Sequence, residues 1–326
     1  MRKLMFVAAI LLAFAPATSL QAAGPAPKVI VGVTPSTDMA LLIIAVKGGF
    51  LEKEGLDAQL QLFDSSPAAL QGVVAGRADI TENTEPPQLA ARARGGQIVQ
   101  VVTGYLSGKL NGFVVNGNVI KKPSDLIGKT IAVQRGSGAN YHEAWFLSRY
   151  KIPADKVTIR YMDAPDQIAA LARNDIQGFF SWEPFLDKAV DTVPGAKIYS
   201  RTIDDGFSFA GNVVMREDMA TNQRDVAVKI VKGLIAAAQW MTANPAEAGK
   251  VANEVLHASS DQVATQQIEY LTWPGDLKKS MAAQEVRIAQ WGAGMGLFPA
   301  SDPKKLVDDL VDPAIIKEAA PSRTDF

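Results

Sequence analysis

The strongest constraint on this chain is a strand–turn–helix pattern that it states twice. Val29 to Val33 runs into the turn Thr34-Pro35-Ser36-Thr37, and a helical stretch from Asp38 to Leu51 follows. Further on, Thr130 to Val133 runs into Gln134-Arg135-Gly136-Ser137-Gly138, with a helix from Ala139 to Arg149 behind it. Ser36 and Ser137 fall at equivalent places. A second echo follows each. Phe63-Asp64-Ser65-Ser66-Pro67 opens a helix that ends at Gly76, and Tyr161-Met162-Asp163-Ala164-Pro165 opens one that ends at Asn174. Proline suits the first turn of a helix, and Gly or Asn suits the left-handed residue that closes one. The repeat predicts two similar α/β lobes in one chain. Each offers a hydroxyl and a helix N-terminus at the carboxyl end of a strand, where open α/β sheets bind ligands and free N–H groups favour anions.

The intervening pattern fits. Strands are expected at 28–34, 57–63, 78–81 and 98–103, separated by helices at 38–53, 66–75 and 86–94. Such alternation implies βαβ units and a parallel sheet. Gly112 to Asn116 is a strand that leaves the first lobe. The second lobe continues with strands at 130–134, 156–161 and 177–180 and helices at 139–150, 165–173 and 184–190. Gly211 to Met215 reads as the return strand. Beyond Arg216 the pattern is helical, at 224–242, 245–256, 260–270, 278–291 and 303–310, and Pro321 to Phe326 reads as a loose tail. The expected division is a leader over 1–23, a discontinuous first lobe over 24–110 and 208–326, and a second lobe over 111–207.

The leader reads as an export signal. Arg2 and Lys3 precede an apolar run from Leu4 to Ala15, Pro16 breaks it, and Leu20-Gln21-Ala22-Ala23 places cleavage after Ala22 or Ala23. The run is too short to span a bilayer, and no later stretch reads as membrane-spanning. Localisation is therefore expected to be periplasmic. Without Arg2 and Lys3, 31 basic residues face 34 acidic ones, a balance that argues against nucleic acid as partner. The absence of Cys removes thiolate metal sites, Cys nucleophiles and disulfides, so stability rests on the core.

Candidate ligand residues cluster at the strand ends. Arg135-Gly136-Ser137-Gly138-Ala139-Asn140 places Ser137, Gly138 and Asn140 at a helix start, where Ser137 serves either as an ordinary cap or as an anion donor. The glycine spacing fits neither a dinucleotide loop nor a Walker loop. Ser36, Thr37 and Asp38 form the matching turn. Thr84 and Glu85 lie between a strand and the helix opened by Pro86-Pro87, where Glu85 either suits the helix dipole or meets a ligand. Trp182 and Glu183 follow a strand, and Trp182 is either core or cleft wall. Trp273-Pro274-Gly275 reads as a surface loop or, less readily, a lid. Glu82 with Glu85, or Asp204 with Asp205, would be the carboxylate pairs of a hydrolase, but nothing sets them apart from solvated acids. His142 and His257 lack metal-ligand spacing, and His142 lies where it could touch a ligand. No catalytic residue, metal or cofactor is expected.

Several motifs together resemble the solute-binding proteins of ABC importers for sulfonates, taurine and nitrate, a group that also includes binders of thiamine pyrimidine precursors. They are Gly48-Gly49-Phe50-Leu51-Glu52-Lys53-Glu54-Gly55-Leu56, Gly76-Arg77-Ala78-Asp79-Ile80, Thr84-Glu85-Pro86-Pro87, Leu126-Ile127-Gly128-Lys129-Thr130-Ile131-Ala132-Val133, Gly136-Ser137 and Trp182-Glu183-Pro184-Phe185. The resemblance implies a type II periplasmic-binding-protein fold: two α/β lobes, a ligand cleft between them and a helical C-terminal part. It implies hinge closure on a small polar or anionic organic ligand, delivery to an inner-membrane ABC permease, and a monomer. The turn at Gly136-Ser137-Gly138 would hold the anionic group, with Ser36-Thr37 and Thr84-Glu85 facing it. Relatives often carry a bulkier residue where Ala139 or Asn140 stands. The alternatives are an amine-bearing heterocycle as ligand, or a pyrimidine-precursor synthase-like enzyme on the same fold; such enzymes need a pyridoxal phosphate lysine and, in the fungal form, a Cys-rich segment, and the absence of Cys and the export signal stand against that reading.

Overall fold

The computed structural model describes residues 25–326. The export signal lies outside the described residues. In chain order the first part contains β1 (Lys28–Val33), α1 (Ala40–Lys47), α2 (Phe50–Lys53), β2 (Asp57–Leu62), α3 (Ser66–Val74), β3 (Ile80–Thr84), α4 (Glu85–Ala93) and β4 (Ile98–Ser107). The middle part contains β5 (Asn111–Asn116), β6 (Thr130–Val133), α5 (Gly138–Arg149), β7 (Thr158–Tyr161), α6 (Ala164–Ala172), β8 (Gly178–Trp182), α7 (Phe185–Thr192) and β9 (Ala196–Arg201). The last part opens with β10 (Phe209–Arg216) and α8 (Glu217–Asn222), followed by α9 (Arg224–Ala243), α10 (Pro245–Leu256) and α11 (Asp261–Glu269). It ends with β11 (Leu271–Thr272), α12 (Lys279–Gly294), α13 (Pro303–Leu310) and α14 (Pro313–Ala319).

The strands form two sheets, one ordered β11-β4-β10-β3-β1-β2 and the other β7-β6-β8-β5-β9. The chain passes between them twice, through Gly108 to Leu110 and through Thr202 to Ser208. In each sheet the strands of the repeat run parallel: β1 pairs β2 and β3, and β6 pairs β7 and β8. In each, one strand returns antiparallel into the middle. β10 lies between β3 and β4, and β5 lies between β8 and β9. The twofold strand–turn–helix pattern is therefore a real architectural repeat.

Burial explains why the middle strands read so clearly. Val29, Val31 and Val33 of β1, and Val213 to Met215 of β10, are fully buried. Such strands carry continuous apolar runs. The first sheet's core is the larger, and the C-terminal helices complete it. α9 buries Ala227, Ile230, Val231, Leu234, Ala237, Ala238 and Met241, spaced three and four apart. Each large side chain buried there contributes roughly 1.5–3 kcal/mol. Contrary to the sequence expectation, α9 is long and apolar enough to cross a membrane by length and composition. Its buried face against this core accounts for that composition.

Four local expectations need correction. The segment Pro321 to Phe326 is docked: Leu277 N–H donates to Arg323 O at 3.0 Å, and Lys279 N–H donates to Asp325 Oδ1 at 2.8 Å. Trp273 is neither lid nor surface loop, because it is buried with its ring edge-on to Tyr105 at 6.1 Å. β3 starts later and runs on through Glu82 and Asn83, both buried. Finally, β9 and α14 were not anticipated at all.

Candidate functional site

The site is assembled where the two crossings join the sheets. On the first sheet's side, β1 ends in the turn that carries Ser36, Thr37 and Asp38. Thr34 and Ser36 hydroxyls lie 2.7 Å apart, and Thr37 Oγ1 donates to Gln267 Oε1 at 3.0 Å. Asp38 is partly exposed. The surrounding protein raises its carboxyl, against the opposing effect of a Ser36 hydrogen bond. Thr84 ends β3 opposite Gly211 and leads into α4 without a side-chain cap.

Glu85 begins α4 and turns its side chain inward. Its Oε1 accepts from Ala210 N–H at 3.0 Å and from Gln284 Nε2 at 2.8 Å. Gln284 Nε2 also reaches Ser208 O at 3.0 Å, so Glu85 and Gln284 together hold the second crossing against the first sheet. Burial pushes the Glu85 carboxyl up to about 7. The neighbouring Glu285 is pushed to about 8, by burial first and by the Glu85 charge second. Glu285 Oε1 accepts from Asn212 Nδ2 at 3.1 Å, and Thr103 donates to Asn212 Oδ1 at 3.1 Å.

Glu82 is 1% exposed, and neither carboxyl oxygen has a hydrogen-bond partner. It lies beneath Gly104, where any Cβ would overlap it. Burial, then the Asp38 charge, raises its carboxyl well above the ordinary range. An unpaired buried carboxylate is costly, so burial favours the neutral form of this group. Tyr105 senses Asp38, Glu82 and Glu85 together, and after burial those charges raise its phenol. The expected acidic residues thus gather at one place, but Glu82 is sealed and Glu85 is tied. Among the described residues no His, Asp or Glu group is arranged to hold a metal ion.

The second sheet contributes the turn from β6 to α5. Gly136 adopts φ +74°, a conformation that favours glycine, and its N–H donates to Asn140 Oδ1 at 3.1 Å. Ser137 Oγ accepts from Asn140 N–H at 3.2 Å and donates to Gln134 O at 2.7 Å. The hydroxyl is therefore a cap, as one of its two sequence readings held. Asn140 is buried and donates to Glu143, whose carboxyl burial pushes up to about 7. The N–H groups of Gly138 and Ala139 donate to no group within the described residues. Gly138 lies on Phe209, where a Cβ would come 3.3 Å from the ring. The next residue, Ala210, is the one bonded to Glu85. The start of α5 and the start of α4 are thus joined through two consecutive residues of β10.

Trp182 and Glu183 sit further along, at the end of β8. Trp182 is half-buried, edge-on to Phe185 at 6.1 Å and packed on the second sheet's core. Glu183 pairs with Arg201 Nη2 at 2.6 Å and accepts from Asp187 N–H at 3.1 Å, while burial raises its carboxyl. Arg201 also donates to Lys109 O and lies 5.8 Å from the centre of the Tyr270 ring. It therefore touches both crossings' surroundings.

His142 does not face a ligand. It is fully buried, with Nε2 2.7 Å from Asp205 Oδ2. Ser200 donates to the same oxygen at 2.8 Å, Tyr150 to Oδ1 at 3.1 Å, and Trp145 Nε1 to Asp205 O at 3.0 Å. Burial lowers the His142 pKa, against the opposing hydrogen bond and charge of Asp205. Asp205 is thus the anchor of the second crossing, and Asp204 caps Arg201 N–H at 2.8 Å. Neither is a hydrolase pair.

Sequence reasoning missed the aromatic bridge between the sheets. Tyr141 of α5 meets Trp291 of α12 at 5.2 Å, Phe207 of the second crossing at 5.7 Å and Phe209 of β10 at 6.4 Å. Their spacing in sequence gives no periodic signal. A cavity of about 480 Å³ was missed too. It lies between α3, α4, the β6–α5 turn and the turn after α12, and none of the ten candidate residues lines it.

Two sheets joined by two crossings, with helix starts converging between them, define a two-lobed periplasmic-binding-protein fold. The chain belongs to the NMT1-like family, whose pattern it matches over residues 22–256. A Bacillus subtilis protein named as a candidate aliphatic sulfonates-binding protein is 26% identical over 86% of this chain and 84% of its own. The taurine-binding periplasmic protein of Escherichia coli is 29% identical over 60% of this chain and 61% of its own. The periplasmic aliphatic sulphonate binding protein of Escherichia coli superposes with a TM-score of 0.73 over 86% of this chain and 96% of its own, at 16% identity. All three relatives are named as binding proteins.

Proposed function

We propose that this protein is the extracytoplasmic solute-binding component of an ABC importer. It captures a small polar or anionic organic ligand, sulfonate- or taurine-like, between two lobes and delivers it to a membrane permease. Residues 24–110 and 208–326 act as one lobe and 111–207 as the other, the leader is removed after Ala22 or Ala23, and the protein works as a monomer without covalent chemistry. The observation that carries this reading is the pair of free N–H groups at Gly138 and Ala139, set against Phe209 between the sheets. Free N–H groups at a helix start favour an anion. Ser137 and Asn140 shape that turn from within, and Ser36, Thr37, Asp38, Thr84 and Glu85 face it. Trp182 and Glu183 border the first crossing.

The test is a thermal-shift screen of refolded, ligand-free mature protein against taurine, alkane and aryl sulfonates, nitrate, bicarbonate, aromatic carboxylates and aminopyrimidines. A ligand that binds only the folded state raises Tm saturably. A rise with sulfonates is expected. A rise confined to aminopyrimidines would favour the heterocycle reading, and no rise with any anion would overturn the proposal.

A further inference from the structure

Helix α12 is fixed to the first lobe by one face and touches the second lobe with another. Glu285, Ile288, Ala289 and Gly292 are buried on the first face. Glu285 Oε1 accepts from Asn212 of β10, and Gly292 lies under the Phe298 ring, which leaves no room for a Cβ. Gln284, Arg287 and Trp291 are spaced three and four apart and share the neighbouring face. Gln284 Nε2 reaches Ser208 O of the second crossing at 3.0 Å. Trp291 meets the Tyr141 ring of α5 edge-on, at 5.2 Å and 72°. Its Nε1 is buried with no hydrogen-bond partner among the described residues, so packing holds the indole there. Arg287, one turn earlier, is exposed and lies at the Tyr141 hydroxyl. Burial raises that phenol, and the charge and hydrogen bond of Arg287 oppose the rise.

The turn behind α12 extends the same contact. Arg94 Nη2 donates to Leu297 O at 2.6 Å, which holds the turn to the end of α4. Leu297 Cδ2 lies 3.9 Å from the position a Cβ would take on Gly136, in the β6–α5 turn. Unlike the two crossings, these contacts are not covalent and can part, and parting uncovers the buried Tyr141. We propose that Trp291, Arg287 and Leu297 form a latch that grips Tyr141 and Gly136 and holds the lobes together before any ligand arrives. They are positioning residues. They set the share of ligand-free protein that is already closed, and apparent affinity scales with that share. The latch rests on the solute-binding reading and adds a control on affinity that is independent of the ligand's structure.

The test is the distance between the lobes in ligand-free mature protein, read by double electron–electron resonance. The chain has no Cys, so Ala75→Cys at the end of α3 and Ala169→Cys on α6 place one spin label on each lobe at exposed sites. α3 faces the β6–α5 turn across the cavity, and the start of α6 is tied to that turn by Gln134 Nε2 donating to Asp163 Oδ1 at 3.0 Å. Arg287→Gln, at an exposed position, and Trp291→Leu are expected to lengthen the distance. For Trp291→Leu the closed-to-open ratio is expected to fall about two- to tenfold, the contribution of one aromatic pair. Trp291→Phe, which keeps an edge-on ring, is expected to retain most of the short distance. Titration with taurine and with hexanesulfonate is expected to show the same fold-loss for both in each variant. Unchanged distances in Arg287→Gln and Trp291→Leu, with either ligand still shortening the distance, would overturn the latch and leave the solute-binding reading intact. Lost affinity at an unchanged ligand-free distance would overturn it too, and make these residues ligand contacts. A distance that neither the variants nor either ligand alters would overturn the hinged reading, and the latch with it.

Discussion

Glu85 Oε1 accepts the backbone N–H of Ala210 at 3.0 Å, which ties the first turn of α4 to the strand that returns from the second sheet. The same oxygen holds Gln284 Nε2. Glu85→Ala leaves the buried Ala210 N–H without an acceptor, at a cost of about 1–3 kcal/mol before relaxation, and leaves the part-buried Gln284 amide with Ser208 O alone. Calorimetry is expected to show a clear fall in Tm for Glu85→Ala and a smaller one for Glu85→Gln, whose amide oxygen still accepts. Equal losses for the two would mean that the charge, and not the acceptor, matters.

The raised carboxyls of Glu85 and Glu285, at about 7 and about 8, fix the direction of a pH effect. The folded state holds these protons more tightly than the unfolded chain, whose Glu titrates near 4.3. Stability is therefore fully present below that value and is lost as pH rises through 7 and 8. The ligand-free protein is expected to melt at least a few degrees higher at pH 6 than at pH 8.5. Glu285→Gln keeps the acceptor for Asn212, removes the ionisation and is expected to flatten the slope. An unchanged slope would show that other groups set it.

Asp205 accepts from His142, Ser200 and Tyr150 in a buried hub. Asp205→Ala strands the buried His142 and Ser200 donors, while Tyr150 is exposed, and urea denaturation is expected to show a loss of at least about 2 kcal/mol. Removing His142 alone by His142→Phe is expected to cost less, because the other two donors remain. A loss below 1 kcal/mol for Asp205→Ala, outside that ~1–3 kcal/mol range, would mean that water replaces the carboxylate there.

Ser137 caps α5, and its proton is committed to Gln134 O. Ser137→Ala is expected to cost ~1 kcal/mol of stability, as lost caps do. Its effect on ligand affinity is expected to stay within a few-fold, because the backbone N–H groups remain. A large loss of affinity with unchanged stability would make the hydroxyl a direct ligand contact.

Much of the fold was legible because its central strands are apolar runs and its helices are bracketed by Pro, Gly and Asn. Elements whose buried side is polar or sparse escaped notice. β3 was cut short at Thr81 because Glu82 and Asn83 read as a loop, although both are buried. β9, Ala196 to Arg201, has no apolar run and borrows its register from β5. The C-terminal segment carries no periodic pattern, and its order comes from backbone bonds to Leu277 and Lys279. In the candidate site the turns themselves could be read. Which hydroxyls and carboxyls were already spent internally could not, since Ala210, Gln284 and Arg201 lie far from their partners in sequence.

The place of β10 has a consequence for biosynthesis. It fills the gap between β3 and β4, yet it is made only after the whole second sheet. A nascent chain that ends before Phe209 has two open strand edges where the first sheet should be continuous, and such edges invite pairing with other chains. The first sheet therefore closes late, through contacts of high sequence separation, which slows folding.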